Sequence, residues 1–488
     1  MLTLSTSAAN AQQMRGRLEE LLTTDSLIEA ARRDQQGAVE RQAVAEGNYL
    51  PTLNITSSIG REDQENINAD DTLLTARQLT LSVTQKLWDF GATTAGIDRS
   101  KIEKREFALR EEVARQDLLL RALVAHLNVL QTREVVAYAI ESEKNLAEQA
   151  TVERQRIDAG SGAETDLLQV RSRLAGAKIR RVASERAAVV AENLYKRVYG
   201  YSPDASSFGE IPELPENAIP VSADEAVELA LGRNLLVRVA RLQTDQLLYA
   251  AKQTEAESYY PSLDLVGEIK YKNDVDGTAG FERDATGKVE LSFPFNLGLT
   301  AINTVKAADL AHEAGIYRLN DLHAQIEQQV RDAWEDYQTA VKSLELASDQ
   351  VELTADFLEL AKEERKIGKR SLIDVITGET LYLDAQADAI ATERTVEIAG
   401  FTLLSLISHL SIDTVKIVPY TSSLKAASIE PVQPTRHASI ETPVVLPIAD
   451  AVPLLGNKRL TYRDSFAVAL LTGDKTLVNA DAVNFYFP

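Results

Sequence analysis

The chain has 488 residues, enough for more than one core, and its 73 acidic against 52 basic residues give a formal charge of -21. That balance argues against nucleic acid as a main partner, because phosphate recognition needs a basic face. It has no cysteine, and its five histidines (His126, His312, His323, His409 and His437) are scattered, so disulfides and thiolate sites are excluded and neither a metal nor a cofactor is expected.

Residues 1–21 form an N-terminal segment that opens MLTLSTSAANAQQ. Ala9-Asn10-Ala11 has the small-x-small form of a signal-peptide end, without the basic start or apolar core of one. The segment is either the remnant of a leader or an accidental likeness. No apolar run anywhere reaches the roughly 18–20 residues of a membrane helix; Arg121 and His126 interrupt the best one. A β-barrel would leave no such run.

Residues 22–200 form a first unit. A helix is expected over about 22–48, and Pro51 ends it, since proline turns its predecessor away from helix. Period-2 alternation then predicts strands over about 51–61 (Leu53, Ile55, Ser57 and Ile59 on one face) and about 79–89 (Leu79, Leu81, Val83, Gln85 and Leu87). A polar loop, 62–78, separates them. Gly91 follows, then an unbroken helical pattern over about 93–158, roughly 100 Å at 1.5 Å per residue. It stops at Gly160-Ser161-Gly162-Ala163 and restarts by Asp166, with Leu167, Val170, Leu174 and Ala177 as the next helix's apolar seam.

A Pro/Ser-rich linker, 201–220, leads to a second unit over 221–410 with the same plan. A helix over about 222–258 ends at Pro261, and strands are expected over about 261–271 and 287–297, flanking a polar loop at 272–286. Gly298 precedes a second long helix, about 300–366. The chain reverses at Gly368-Lys369-Arg370-Ser371-Leu372 and continues through Asp374 and Thr377, with Val375, Gly378, Tyr382, Ala385 and Ala389 as the seam. Three landmarks tie the halves together: Pro51 with Pro261 (261 − 51 = 210), Trp88-Asp-Phe-Gly91 with Phe295-Asn-Leu-Gly298 (295 − 88 = 207) and Gly160 with Gly368 (368 − 160 = 208). Residues 411–488 form a C-terminal extension, partly extended.

Four strands cannot close a barrel, for which about eight is the minimum. If they meet lipid, every edge must be paired, so the barrel has to be shared among copies. Trp88, Phe90, Phe293 and Phe295 lie near one strand end, where membrane-interface aromatics belong. The alternative is a soluble sheet with these aromatics as core, capping a coiled-coil scaffold. Helices of roughly 100 Å weigh against it, because a compact sheet has nowhere to put them.

With these features the chain resembles the TolC family of outer-membrane efflux and type I secretion channels. The likeness covers about 22–410 and is carried by YLPTL and YYPSL, by LWDFG, and by the two turns at 160–168 and 368–376. It implies an α+β membrane protein of the Gram-negative outer membrane, a homotrimer. Each protomer would give four strands to one twelve-stranded barrel in the lipid and long antiparallel helices to a periplasmic α-barrel. The partners implied are a periplasmic adaptor protein and an inner-membrane transporter of ABC, RND or MFS type.

By position, the resemblance makes the two turns the periplasmic tip, where an adaptor docks and a gate closes. Asp374 falls on the family's entrance aspartate and Arg370 on a basic residue that helps hold the closed state; Thr377 stands where the family's best-known member has a second aspartate, which puts a double acidic ring in doubt. Asp166 is the equivalent acid of the first turn. Each acid also has a plainer reading: Ser371 with Asp374, and Ser161 with Glu164, have capping-box spacing, and Gly160 and Gly368 are natural helix stops. The reading is a passive exit duct for drugs or secreted protein, not an enzyme; no GxSxG or GxxxxGK[ST] motif competes.

Overall fold

The computed structural model describes residues 4–65, 71–203, 208–293, 295 and 298–420. The elements in chain order are α1 (Leu4–Thr24), α2 (Ser26–Gly47), β1 (Thr52–Gln64), β2 (Thr72–Trp88), α3 (Ala92–Asp158), α4 (Glu164–Tyr199), β3 (Glu210–Glu213), α5 (Ala223–Arg233), α6 (Leu235–Tyr259), β4 (Ser262–Val275), β5 (Thr278–Ser292), α7 (Thr300–Lys366), α8 (Leu372–Leu406) and β6 (Lys416–Pro419). Two helices, two strands, one very long helix and one shorter helix run twice.

The repeat goes deeper than its three sequence landmarks. Each half opens with two helices where the sequence suggests one, and a polar side chain makes each break. Asp25 accepts a hydrogen bond from the Leu27 amide at 2.7 Å to cap α2. Asn234 accepts from the Leu236 and Val237 amides at 2.8 and 3.2 Å to cap α6. The offset, 234 − 25 = 209, fits the other landmarks. The first helix also begins well before residue 22. Met14, Leu18 and Leu21 are buried in the main core, so this part of the N-terminal segment belongs to the folded body.

The four long strands form one antiparallel sheet in the order β1-β2-β4-β5. Register sorts its faces. Leu53 opposes Val83, Ile55 opposes Leu81, Leu81 opposes Ile269, Leu265 opposes Val289 and Leu263 opposes Leu291, so one face carries an apolar band, with Arg61, Asp63, Arg77 and Arg283 on the same face beyond it toward the hairpin turns. The other carries Thr56, Thr80, Ser82, Thr84, Glu268, Lys270 and Lys288. The strands run further than the alternation suggests, and most of the expected loops at 62–78 and 272–286 is paired backbone. Ladder bonds do not require apolar side chains, and the period-2 contrast fades where both faces are polar. Asn296 and Leu297, expected at the end of the fourth strand, lie outside the described residues; β5 ends at Ser292.

α3 and α7 have 67 residues each, about 100 Å. Both are supported along their length, as helices of this size must be. Near the sheet the lateral order is α2, α3, α6, α7; toward the far turns it is α4, α3, α8, α7. α7 ends both orders, with α5 also packed on it near Arg331, and the opposite edge passes from α2 to α4. Small residues set the close approaches: a Cβ on Gly315 would meet Leu247 at 2.8 Å, and one on Gly378 would meet the Phe357 ring at 3.0 Å.

The main core sits midway, where Leu123 and Leu127 of α3, Val330 of α7 and Phe401 and Leu404 of α8 meet. The stretch expected as a plain linker supplies β3 here, paired antiparallel with β6 from the start of the C-terminal extension, Ile211 opposite Val418. Residues 204–207 of that linker, and the extension from 421 to 488, lie outside the described residues.

Candidate functional site

The two long helices end in the same way. After α3, Gly160 has φ +75°, its amide donates to Ile157 O at 2.9 Å, and the Ser161 amide donates to Arg156 O at 2.9 Å. After α7, Gly368 has φ +73°, its amide donates to Arg365 O at 2.9 Å, and the Lys369 amide donates to Glu364 O at 2.9 Å. These are paired 6→1 and 5→2 closures around a left-handed residue, which a glycine adopts without a Cβ penalty.

The restarts differ. Ser371 caps α8: its hydroxyl accepts from the Asp374 amide at 3.2 Å and donates to the Asp374 carboxylate at 2.8 Å. The cap is therefore Ser371, and the Asp374 carboxylate takes the serine hydroxyl where the capping-box reading has it take a helix amide. The first turn departs from the expected capping box. Ser161 turns back to α3, donating its hydroxyl to Arg156 O at 3.2 Å, and the N-cap of α4 is Ala163, which has no side chain to contribute. Glu164 and Asp166 sit in the first turn of α4, where carboxylates favour the helix dipole. The second glycine is needed for space: a Cβ on Gly162 would meet Ile157 N at 2.8 Å.

Arg370 reaches Glu364 at 2.5 Å and lies over the Phe357 ring at 5.4 Å, so it braces its own turn. Thr377 donates to Ile373 O at 2.7 Å, a bond back into its own helix. Two residues on, Glu379 accepts from Asn145 of α3 at 2.8 Å; burial raises its carboxyl above the ordinary range, against the pull of Lys362. It points to α3 and does not replace the acid that Thr377 lacks.

The two turns meet through a residue that the sequence did not single out. Glu153 of α3 is fully buried and pairs with Arg156 at 3.0 Å and with Arg365 of α7 at 3.7 Å. Leu146, Val170, Ala177, Leu372 and Ile376 form an apolar cluster beside it from α3, α4 and α8. In sequence Glu153 is one of many helix acids; only its burial distinguishes it. Lys366 and Lys369 stay exposed at the second turn.

At the other end, Phe90, Gly91 and Leu299 take positive φ where strand gives way to helix, and Pro51 and Pro261 stand at the reverse junctions. The LWDFG motif contains a cap not expected from the pattern. Asp89 is buried and accepts from the Gly91 amide at 3.2 Å and the Thr93 amide at 2.8 Å, starting α3. Gly298 lies at the matching junction before α7. Trp88, Phe90, Phe293 and Phe295 are all exposed at this end of the sheet, with Trp88 edge-on to Phe90 at 6.0 Å and Phe293 stacked on Phe295 at 6.4 Å. Among the described residues no helix is long and apolar enough to cross a membrane and no His/Asp/Glu group could hold a metal ion.

The sequence profile of the outer membrane efflux protein family matches residues 18–198 and 226–409, both repeats. The outer membrane efflux protein BepC of Brucella suis is 24% identical over 417 residues, covering 84% of this chain and 88% of that one. The outer membrane protein TolC of Escherichia coli is 23% identical, covering 73% and 74%. The alkaline protease secretion protein AprF of Pseudomonas aeruginosa is 21% identical, covering 75% and 78%. Among solved structures, the CmeC outer membrane channel of Campylobacter jejuni superposes with a TM-score of 0.70 at 16% identity, covering 82% of this chain and 86% of that one.

Proposed function

This chain belongs to the outer membrane efflux protein family, and on that premise we propose how it works as an outer-membrane exit duct: three copies close into one barrel and one helical tunnel, gated at the paired turns. The observation that carries the assembly is the free edge of α7. Leu346, Leu353, Leu360 and Ile367 repeat every seven residues and are 58, 69, 61 and 67% exposed. An apolar seven-residue repeat is the seam of a coiled coil and demands a partner helix. The opposite edge, α4, presents Ile179, Val182, Val189 and Val190, also exposed. A head-to-tail contact of α7 with the next copy's α4 closes a ring. The same ring pairs β1 with β5, the two unpaired sheet edges, and turns the apolar sheet face to lipid.

The turns then lie at the far end of the tunnel. Copies of Asp374 form a ring of like charge there, which favours cations at a narrow passage, while Ser371 fixes each carboxylate at its helix start. Arg365 on Glu153 holds the two reversals of each protomer together. The exposed Lys366 and Lys369 offer a periplasmic adaptor a basic docking edge, with an inner-membrane transporter beyond. The duct is passive and performs no chemistry of its own. Its cargo is small molecules, as the efflux relatives' names suggest, or secreted protein, as that of AprF suggests; deleting the gene and comparing drug sensitivity with the secreted proteome separates these.

The assembly is tested by the mass of the detergent-solubilised protein. Three times the chain mass of 53.6 kDa, lost on heating, is expected. A monomer that stays in solution without detergent would overturn the reading.

A further inference from the structure

We propose that the turn between β4 and β5 is a lid over the outer mouth of the barrel, latched by Glu62. The first hairpin outruns the second: the last β2–β4 pair is Arg77 with Asn273, whereas β1 and β2 stay paired out to Gln64 with Thr72. The β4–β5 turn does not continue upward beside them. It bends, with Asp274, Asp276, Gly277 and Gly280 all at positive φ and a register shift between Asn273 and Val275, and it crosses β2 to reach β1. There the Glu62 carboxylate accepts from the Asp276 and Gly277 amides, each at 3.2 Å, one amide per oxygen. β1 and β4 are not sheet neighbours, so this contact exists only because the turn folds over the strand between them.

The side it folds over gives it meaning. Glu62, Gln64 and Thr72 share a face with Thr56, Thr80 and Ser82, the polar one, because β1 and β2 pair without a bulge. The turn is in close contact with that face: a Cβ on Gly277 would meet Gln64 at 2.5 Å and Thr72 at 3.2 Å. In a barrel with its apolar face on lipid, the polar face lines the lumen, so a turn lying on it narrows the mouth. Lys272, bridged to Asp284 at 3.1 Å and Asp276 at 3.6 Å, and Asp274, accepting from the Gly280 amide at 2.8 Å, stiffen the bent turn so that it moves as one piece. Two backbone amides on one carboxylate make a latch that can open without breaking the sheet.

The lid rests on the barrel reading above, and one experiment separates them. The chain has no cysteine, so Ser82→Cys, on the polar face below the turn, introduces a single thiol. Intact cells receive a small methanethiosulfonate reagent or a bulky polyethylene-glycol maleimide from outside. The small reagent is expected to label Cys-bearing protein in every background. The bulky one is expected to react at least ~10-fold faster once Glu62→Ala removes both amide bonds or Gly277→Val displaces the turn, since loss of even one charge-assisted hydrogen bond gives a shift of that size. Equal rates for the bulky reagent, with small-reagent labelling intact in both variants, would overturn the lid. Failure of the small reagent to label at all would overturn the barrel reading, and the lid with it.

Discussion

At the level of single residues, the paired turns are governed by two glycines and one buried acid. Gly160 and Gly368 sit at φ +75° and +73°, so Gly160→Ala or Gly368→Ala forces a side chain into the left-handed region at a cost of about 1 kcal/mol each, read as a lower thermal midpoint. Glu153 carries more consequence. Glu153→Ala leaves Arg365 without its buried partner and frees the second turn from α3, so channel conductance is expected to rise. Arg365→Ala should do the same, and the double variant should add little beyond either, as for two residues of one interaction. If the double variant shows the full sum of the two single effects, the bridge is not the coupling element. Asp374→Ala is expected to weaken block by multivalent cations; unchanged block leaves Asp374 only its bond to the Ser371 cap. The glycines and Ser371 were legible in the sequence, because left-handed stops and serine-acid spacing have local causes. Ser161 has the same spacing to Glu164 but is not an N-cap, because its hydroxyl donates to Arg156 O. Glu153 was not legible, since burial of one acid among many depends on which helices pack around it.

Among the elements, β6 gives the fold its most condition-dependent contact. Tyr420, following β6, donates its hydroxyl to Glu134 of α3, while its ring covers Arg394 of α8 at 5.5 Å. Arg394 is buried and pairs with Glu397 at 3.0 Å, with Glu393 at 3.4 Å, and Glu213 of β3 stands near Glu397. Burial raises the carboxyls of Glu134 and Glu397 to about 7, against the pull of Arg394. Their folded values exceed the ordinary value of 4.5, so the folded chain binds protons more readily than the unfolded one across that window. The contribution of these groups to stability is full below about pH 4.5 and declines as pH rises through about 7. Glu134→Gln and Glu397→Gln should therefore flatten the fall in thermal midpoint between pH 5 and 8; an unchanged slope would show that neither carboxyl titrates there. The long elements were legible because each carries its own period: an unbroken helical pattern for α3 and α7, and alternation for the four strands. The short β3 and β6 were not, because each has four residues and exists only through the other, some two hundred positions away. The strand ends were missed for a related reason, since pairing extends into polar sequence where alternation carries no signal.

At the scale of the whole molecule, the unsatisfied edges are what the proposed assembly would pair. A sheet with one apolar face and two open edges, and a helix with an exposed heptad seam, are both incomplete in one copy. On the proposed trimer, a charge placed in that seam by Leu353→Glu should lower the yield of heat-sensitive oligomer and increase detergent-bound monomer. The duplicated plan is readable from three sequence offsets, and the four strands it contains are too few to close a barrel alone. What pattern alone could not supply was the lateral order of the helices, which puts α7 last in both rows and hands the other edge from α2 to α4. The duct itself is tested most directly by adding the purified protein to planar lipid bilayers and recording current. Discrete, long-lived conductance steps carried by the heat-sensitive trimer, enlarged by Glu153→Ala, are predicted; bilayers that stay silent with intact trimer present, for both the parent and this variant, would contradict it.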